Sequence, residues 1–453
     1  MRSDLPGGAR ESAPSDLDDR CSCGALHPVD IEMVVISDTA IDELVSYAER
    51  HSWSRPFVVM DANTEEVLGG EVIQALRGRS MLPGSLCFPE RSGLLADAKR
   101  VERLEEALRS STPDAVIAVG SGVVTDVTRF VTHRLGREFV SVPTAASMDG
   151  YASSVAAMQF DGMKTTTSAI APSAIFADPK VSARAPREMT RSGIGDLLGK
   201  ASAHIDWHLS HGLWSEPLCG VVERRVADPM VHVASHVREI LEQSPEGVEQ
   251  LLRGLVESGI AMTMVGSSRP ASGCEHHASH FWDLQSSLGR HLHAPHGLQV
   301  GYATHFALRL QEWALGGDLD MPTLPRARQP ESDEARSWFL GHLPEVEAVM
   351  EEKQSFSASH ENAWPRSAPS WAAVLVGTAG ARSVAPLVHE ALNAAEIPDA
   401  PGFLDLDAEM LAATFRFANR IRARYTVIDF LEGQGLLDEG VASVLAKSSN
   451  YPE

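Results

Sequence analysis

Between about residue 31 and residue 179 the chain alternates short apolar runs with amphipathic stretches. Residues 33–36, 57–60 and 115–119 are apolar throughout, 139–142 are apolar but for Ser141, and all are bounded by turn residues, the pattern of parallel strands buried on both faces. Residues 94–109 place Leu94, Val101, Leu104 and Leu108 on one face and Lys, Arg and Glu on the other, which predicts an amphipathic helix. This alternation predicts a doubly wound parallel sheet, and such sheets bind ligands at the carboxyl ends of their strands. After Asp178-Pro179 the strand pattern stops. The remainder reads as helix and ends in predicted helices over 415–431 and 436–447. The expected organisation is a disordered tail over 1–20, an α/β domain over 21–186 and an all-α domain over 187–453. Residues 316–370, rich in Pro, Ser and Glu, read as an insertion between helices.

Composition narrows the function classes. The chain has 453 residues, enough for two domains, and 43% of them are hydrophobic. A formal charge of -22 argues against general nucleic-acid binding, which needs clustered Lys and Arg. No apolar run approaches the roughly 20 residues of a membrane span and nothing resembles a signal peptide, so a cytoplasmic protein is expected. Five scattered cysteines fit thiols in a reducing compartment.

Chemistry-bearing residues fall at the strand ends and in one histidine-rich stretch. The run 57–60 leads into Asp61-Ala62-Asn63-Thr64, where Asp61 is placed to accept from an adenosine ribose and Asn63 reads equally well as a helix N-cap. The run 115–119 leads into Gly120-Ser121-Gly122 and a helix start that carries Asp126. Glycine there lets backbone N–H groups approach a pyrophosphate, although a plain tight turn explains the same residues. Next comes Thr144 to Ser153, with Ser147 and Asp149, a small polar edge that turn chemistry also explains. Lys164 is an isolated cation, and Asp196 in G-I-G-D-L-L-G-K reads locally as an N-cap. Residues 267–280 read S-S-R-P-A-S-G-C-E-H-H-A-S-H, and His296 follows sixteen residues later. His276, His277, His280 and His296 suggest a metal site assembled from distant segments, since their spacing matches no zinc finger. C-S-C-G-A-L-H at 21–27 is half a metal site, and a structural or incidental role accounts for it as well.

Taken together, C-S-C-G-A-L-H at 21–27, D-A-N-T at 61–64, G-S-G-V-V-T-D at 120–126, V-P-T-A-A-S-M-D-G-Y-A-S at 142–153, D-G-M-K at 161–164, G-I-G-D-L-L-G-K at 193–200, S-S-R-P-A-S-G-C-E-H-H at 267–277, H-G-L-Q-V-G at 296–301 and R-A-R-Y-T at 422–426 resemble the bacterial branch of the sn-glycerol-1-phosphate dehydrogenases. That family sits in the superfamily of glycerol dehydrogenase, metal-dependent alcohol dehydrogenases and dehydroquinate synthase. The resemblance implies a Rossmann-like dinucleotide-binding domain, a helical domain and an active-site cleft between them. It implies metal ligands Asp196, His276 and His296, a set that suits zinc and also nickel or iron. NAD(H) would lie along Asp61, Asn63, Gly120, Ser121, Gly122, Asp126, Thr144 and Ser147, preferred over NADP(H) because Asp61 repels a 2′-phosphate. Asp149 and His280 are the expected proton-handling residues. Asp149, Lys164, Arg269 and His277 are the expected contacts of a small phosphorylated substrate. The implied reaction is reversible hydride transfer between dihydroxyacetone phosphate and sn-glycerol 1-phosphate by a homo-oligomer. Alternatives are a dehydrogenase of another phosphorylated or phosphonylated ketone or polyol, a cofactor-retaining cyclase or lyase resembling dehydroquinate synthase, and a silent binding protein.

Overall fold

The computed structural model describes residues 11–12, 21, 23–160, 163–317, 319, 322–325, 331–400 and 402–447, with the side chains of 11, 12, 163 and 164 left out. The chain forms two compact units. The first comprises Met1–Gly193 and Arg238–Ser268, the second Ile194–Val237 and Arg269–Glu453.

Nine strands occur among the described residues: β1 (Glu11–Ser12), β2 (Met33–Ile36), β3 (Pro56–Asp61), β4 (Gly84–Phe88), β5 (Ala115–Gly120), β6 (Val140–Pro143), β7 (Val155–Phe160), β8 (Met163–Ser168) and β9 (Ala174–Ala177). Seven make one sheet in the order β1-β2-β9-β6-β5-β3-β4, parallel except for β1, while β7 and β8 form an antiparallel hairpin. The expected disorder over 1–20 lies outside the described residues, apart from the two residues of β1.

Alternation along the central strands covers both faces of the sheet. Val58, Met60, Ile117 and Val119 join a core with Leu44 and Val45 of the helix Ala40–Arg50. Phe57, Val59, Val116 and Ala118 join the opposite core with Val101, Leu104 and Leu108 of the helix Ala98–Ser111. A sheet buried on both sides reads as continuous apolar runs, which is why those four strands were recognisable. The amphipathic helix starts at Ala98, four residues later than its apolar spacing predicts, because the Asp97 side chain accepts from Arg100 N and caps it there.

The second unit is helical among its described residues. Within the expected insertion lie the helices Asp333–Trp338 and Leu343–Ser359. Helix is also expected without interruption over 415–431, and the structure corrects this. One helix ends at Phe417, a short turn follows, and a new helix runs Val427–Gln434. Thr426 and Asp429 form a capping box that starts the second helix and leaves R-A-R-Y in a loop. Among the described residues, Ala368–Ala394 is long and apolar enough for a membrane span by length and composition alone. It consists of two helices, Ala368–Arg382 and Ala385–Ala394, and carries the charged residues Arg382 and Glu390.

Candidate active site

In the first unit the strand order reverses beside β3. From β3 the chain steps outward to β4, then returns to the other side of β3 at β5. Asp61 ends β3 and Gly120 ends β5, two residues beyond the Val59–Ala118 pairing. A crevice outside the carboxyl ends of strands at such a switch point is where dinucleotides bind in this fold class. A Cβ on Gly120 would lie 2.7 Å from Val124 Cβ, so only glycine permits the tight turn that starts the helix Gly122–Arg134. Thr144 N donates to Gly120 O, and Ser147 Oγ lies 3.3 Å from the Tyr151 hydroxyl, which places both at the same strand-end edge.

Three of the expected cofactor residues have local bonding of their own. Asp61 is itself the N-cap, its Oδ1 accepting from Asn63 N and Thr64 N at 2.9 and 2.8 Å. The cap therefore is not Asn63, whose amide donates to Arg91 O at 2.8 Å. Asp126 pairs at 2.8 Å with fully buried Arg129, and Arg129 also holds the carbonyls of Gly150, Tyr151 and Val155. That ion pair fixes the loop carrying Asp149, whose Oδ2 accepts from Ser258 at 2.9 Å. Lys164 pairs with Gln159 along the β7–β8 hairpin, and its side chain lies outside the described residues.

The second unit assembles the expected ligand trio. Asp196, His276 and His296 each offer one ligand atom within 4.8 Å of the others. Asp196 and His296 meet because Gly195 removes the side chain between the helix Arg187–Trp214 and the helix His296–Leu315. A Cβ on Gly195 would lie 2.2 Å from Gly297 O. His276 sits in the first turn of the buried helix Cys274–Ser287, with Nε2 3.4 Å from Asp196 Oδ1.

Hydrogen bonds fix which nitrogen of each imidazole faces the trio. His276 Nδ1 lies 2.7 Å from Glu275 Oε1, an acceptor, so the ring proton is on Nδ1 and the lone pair on Nε2. Ser279 donates its hydroxyl proton to Gln299 Oε1 at 2.9 Å. His296 Nδ1, 3.0 Å from Ser279 Oγ, must then be the donor, and its lone pair is also on Nε2. Outer partners that orient imidazoles in this way accompany metal-binding histidines. Burial alone would raise the Asp196 pKa, but the charge of Lys200, whose Nζ is 2.7 Å from Oδ1, opposes it, and the carboxyl is held well below its usual range. The donor set fits a divalent ion: one carboxylate and two oriented imidazoles, with His296 partly open to solvent.

Beside the trio lies a cluster of arginine and histidine side chains that the sequence only partly indicated. His280, its ring 5.5 Å from that of His296, accepts from Arg422 at 2.8 Å through Nε2. Arg422 and Arg424 keep partial solvent access, yet desolvation pushes their pKa values down to about 10 and about 9, with Arg269 and Arg422 lowering that of Arg424 further. His277 is fully buried with neither ring nitrogen hydrogen-bonded among the described residues. Burial first, then Lys353 and these arginines, keeps it neutral well below its usual pKa. Arg269 is buried, pairs with Glu216 at 2.9 Å and donates to Asp206 O. Glu275, Ser279, Gln299 and Lys200 were missed because nothing in their local sequence marks an outer-shell role. Arg422 and Arg424 carried one signal, the R-A-R-Y-T match to the resembling family.

The fold is that of the iron-containing alcohol dehydrogenases. The sequence pattern of that family, described as iron-containing alcohol dehydrogenase, matches residues 35–186. The structure is similar to that of an iron-containing alcohol dehydrogenase from Thermococcus thioreducens, with a TM-score of 0.64, 14% identity and coverage of 93% of this chain and 100% of the other. Among curated relatives, glycerol-1-phosphate dehydrogenase [NAD(P)+] of Halalkalibacterium halodurans is 36% identical over 63% of this chain and 72% of its own length. The enzyme of the same name from Pyrococcus furiosus is 35% identical over 60% of this chain and 76% of its own. The chain belongs to the glycerol-1-phosphate dehydrogenase family and is an NAD(P)-dependent oxidoreductase.

Proposed function

We propose that the protein reduces dihydroxyacetone phosphate to sn-glycerol 1-phosphate with NAD(P)H. The observation that carries this reading is the convergence of Asp196, His276 and His296, with the ring protons of both imidazoles fixed away from the other ligands. A divalent ion held there, zinc first and nickel or iron by the same donor chemistry, would supply Lewis-acid polarisation of the substrate carbonyl. The nicotinamide would supply the hydride.

The protein's own residues then have these roles. The first unit holds the dinucleotide at Asp61, Gly120, Ser121, Gly122, Thr144 and Ser147, and the carboxylate of Asp61 disfavours a 2′-phosphate, so NAD(H) is preferred. In the second unit Arg422 and Arg424, with Arg269 and His277 behind them, receive the substrate phosphate through charge-assisted hydrogen bonds. Lys164 is a further candidate for that charge. When Arg422 turns toward a phosphate it releases His280 Nε2, which becomes able to take or give the proton of the substrate oxygen, while Asp149 contacts a substrate hydroxyl. The resemblance further supports a cytoplasmic homo-oligomer that binds neither nucleic acid nor membrane.

The test is NADH oxidation with dihydroxyacetone phosphate beside dihydroxyacetone and glyceraldehyde 3-phosphate. Turnover on the first far above the others supports the proposal, and equal rates on the first two contradict a phosphate-directed site. Stoichiometric NADH consumption separates this reaction from a cyclase that regenerates its cofactor in each turnover.

A further inference from the structure

The segment C-S-C-G-A-L-H has no role in the proposed reaction, yet its geometry is specific. Cys21 O accepts from Gly24 N at 2.7 Å and Cys21 N donates to Ala25 O at 3.1 Å, closing a tight turn. Gly24 holds φ at +84°, a left-handed conformation that favours glycine. The turn brings the sulfurs of Cys21 and Cys23 and a ring nitrogen of His27 within 4.8 Å of one another, and Cys23 Sγ lies 3.2 Å from His27 Nε2.

The other face of His27 decides what that nitrogen is. His27 Nδ1 lies 2.9 Å from Met264 O, and a carbonyl only accepts, so Nδ1 carries the proton and Nε2 presents its lone pair to the thiols. Met264 belongs to the last turn of the helix Pro245–Val265, where backbone carbonyls lack helical partners and a positive charge is favoured. Capping that helix needs only the imidazole. It does not account for two thiols converging on its far nitrogen.

We propose that Cys21, Cys23 and His27 bind a zinc ion, separate from the Asp196, His276 and His296 site, that staples the segment before β2 to the end of the helix Pro245–Val265. Tetrahedral zinc places sulfur and nitrogen ligands about 3.5–3.8 Å apart, which the three donors reach with small side-chain adjustments. Binding converts both thiols to thiolates and releases their two protons to solvent, so two negative charges neutralise the ion. The fourth position is left for water or a further donor. The orienting carbonyl of Met264 acts on His27 as outer partners act on other metal-binding imidazoles.

The test is spectroscopic and independent of turnover. The full chain is stripped with a chelator and reloaded with cobalt(II) under reducing conditions, alongside His276→Ala, Cys87→Ser and the double variant Cys21→Ser/Cys23→Ser. The proposal expects a thiolate-to-cobalt charge-transfer band in the near ultraviolet for the unmodified chain, His276→Ala and Cys87→Ser, and its loss in the double variant. Where the double variant does not fold, the unmodified zinc-loaded protein is titrated with a mercurial thiol reagent, and one zinc per chain should be released. A cobalt-loaded chain without the band, a band that persists in the double variant, or a mercurial that releases no zinc would overturn the proposal.

Discussion

Arg422 donates to His280 Nε2 at 2.8 Å, and the His280 ring lies 5.5 Å from that of His296. A partly buried guanidinium thus touches the imidazole next to the candidate metal ligand. The loop that carries Arg422 exists because the helix stops after Phe417 and restarts at Val427. Asp206 fixes the restart: one carboxylate oxygen accepts from Val427 N at 2.9 Å and the other from Cys274 N at 2.8 Å, tying the arginine loop to the helix of His276.

If Arg422 serves the phosphate, Arg422→Ala raises KM for dihydroxyacetone phosphate about 10- to 100-fold, the worth of a charge-assisted hydrogen bond, and leaves the slow turnover of dihydroxyacetone nearly unchanged. Steady-state kinetics on both ketones check this. An equal loss on both would place Arg422 in general positioning of His280.

Gly195→Ala forces a Cβ to 2.2 Å from Gly297 O, and neither backbone can yield cheaply. The helices carrying Asp196 and His296 must separate, so the variant should lose at least about tenfold in metal affinity, comparable to disrupting an outer-shell partner. Isothermal titration of apoprotein with zinc reads this, and wild-type affinity would show that the helices do not define the site.

Asp61→Asn keeps an oxygen able to cap the helix at Ala62–Thr64 while removing the negative charge at the end of β3. The ratio of kcat/KM for NADH over NADPH should fall toward unity, with little change in melting temperature. Asp61→Ala should also lose about 1 kcal/mol of stability through the cap. An unchanged cofactor ratio in Asp61→Asn would remove Asp61 from cofactor choice.

Stability should fall on mild acidification. Burial first, then His305 and Arg309, lowers the His389 pKa to about 4, with Asp399 opposing, and burial likewise lowers that of His204 to about 4. Both are neutral in the fold, whereas in the unfolded chain they protonate near 6.5. The unfolded state therefore binds more protons between pH 6.5 and 4, so stability is full above that window and declines as pH falls through it. His389→Gln should flatten this decline in urea denaturation curves recorded across the window. An unchanged slope would mean that His389 is already protonated in the fold.

Much of the first unit was legible in the sequence because a sheet buried on both faces writes itself as unbroken apolar runs. β4, β7, β8 and β9 were not recognised: β4 is only partly buried, β7 alternates as half-covered strands do, and β9 was passed over although its four residues are apolar and buried. The return of residues 238–268 to the first unit rests on distant contacts such as Ser258 Oγ to Asp149, which no local period records. In the second unit His276 and His296 stood out with His277 and His280 by histidine density, and family likeness narrowed the set and added Asp196, whose surroundings read as an ordinary cap. Their orienting partners Glu275, Ser279 and Gln299 emerged only from three-dimensional hydrogen bonding.

The central claim is that Asp196, His276 and His296 hold the ion on which turnover depends. His276→Ala, purified and shown by circular dichroism to be folded, should contain one equivalent of divalent metal fewer than the unmodified chain and should not oxidise NADH with dihydroxyacetone phosphate. A variant lacking that equivalent yet turning over at the unmodified rate would contradict the account.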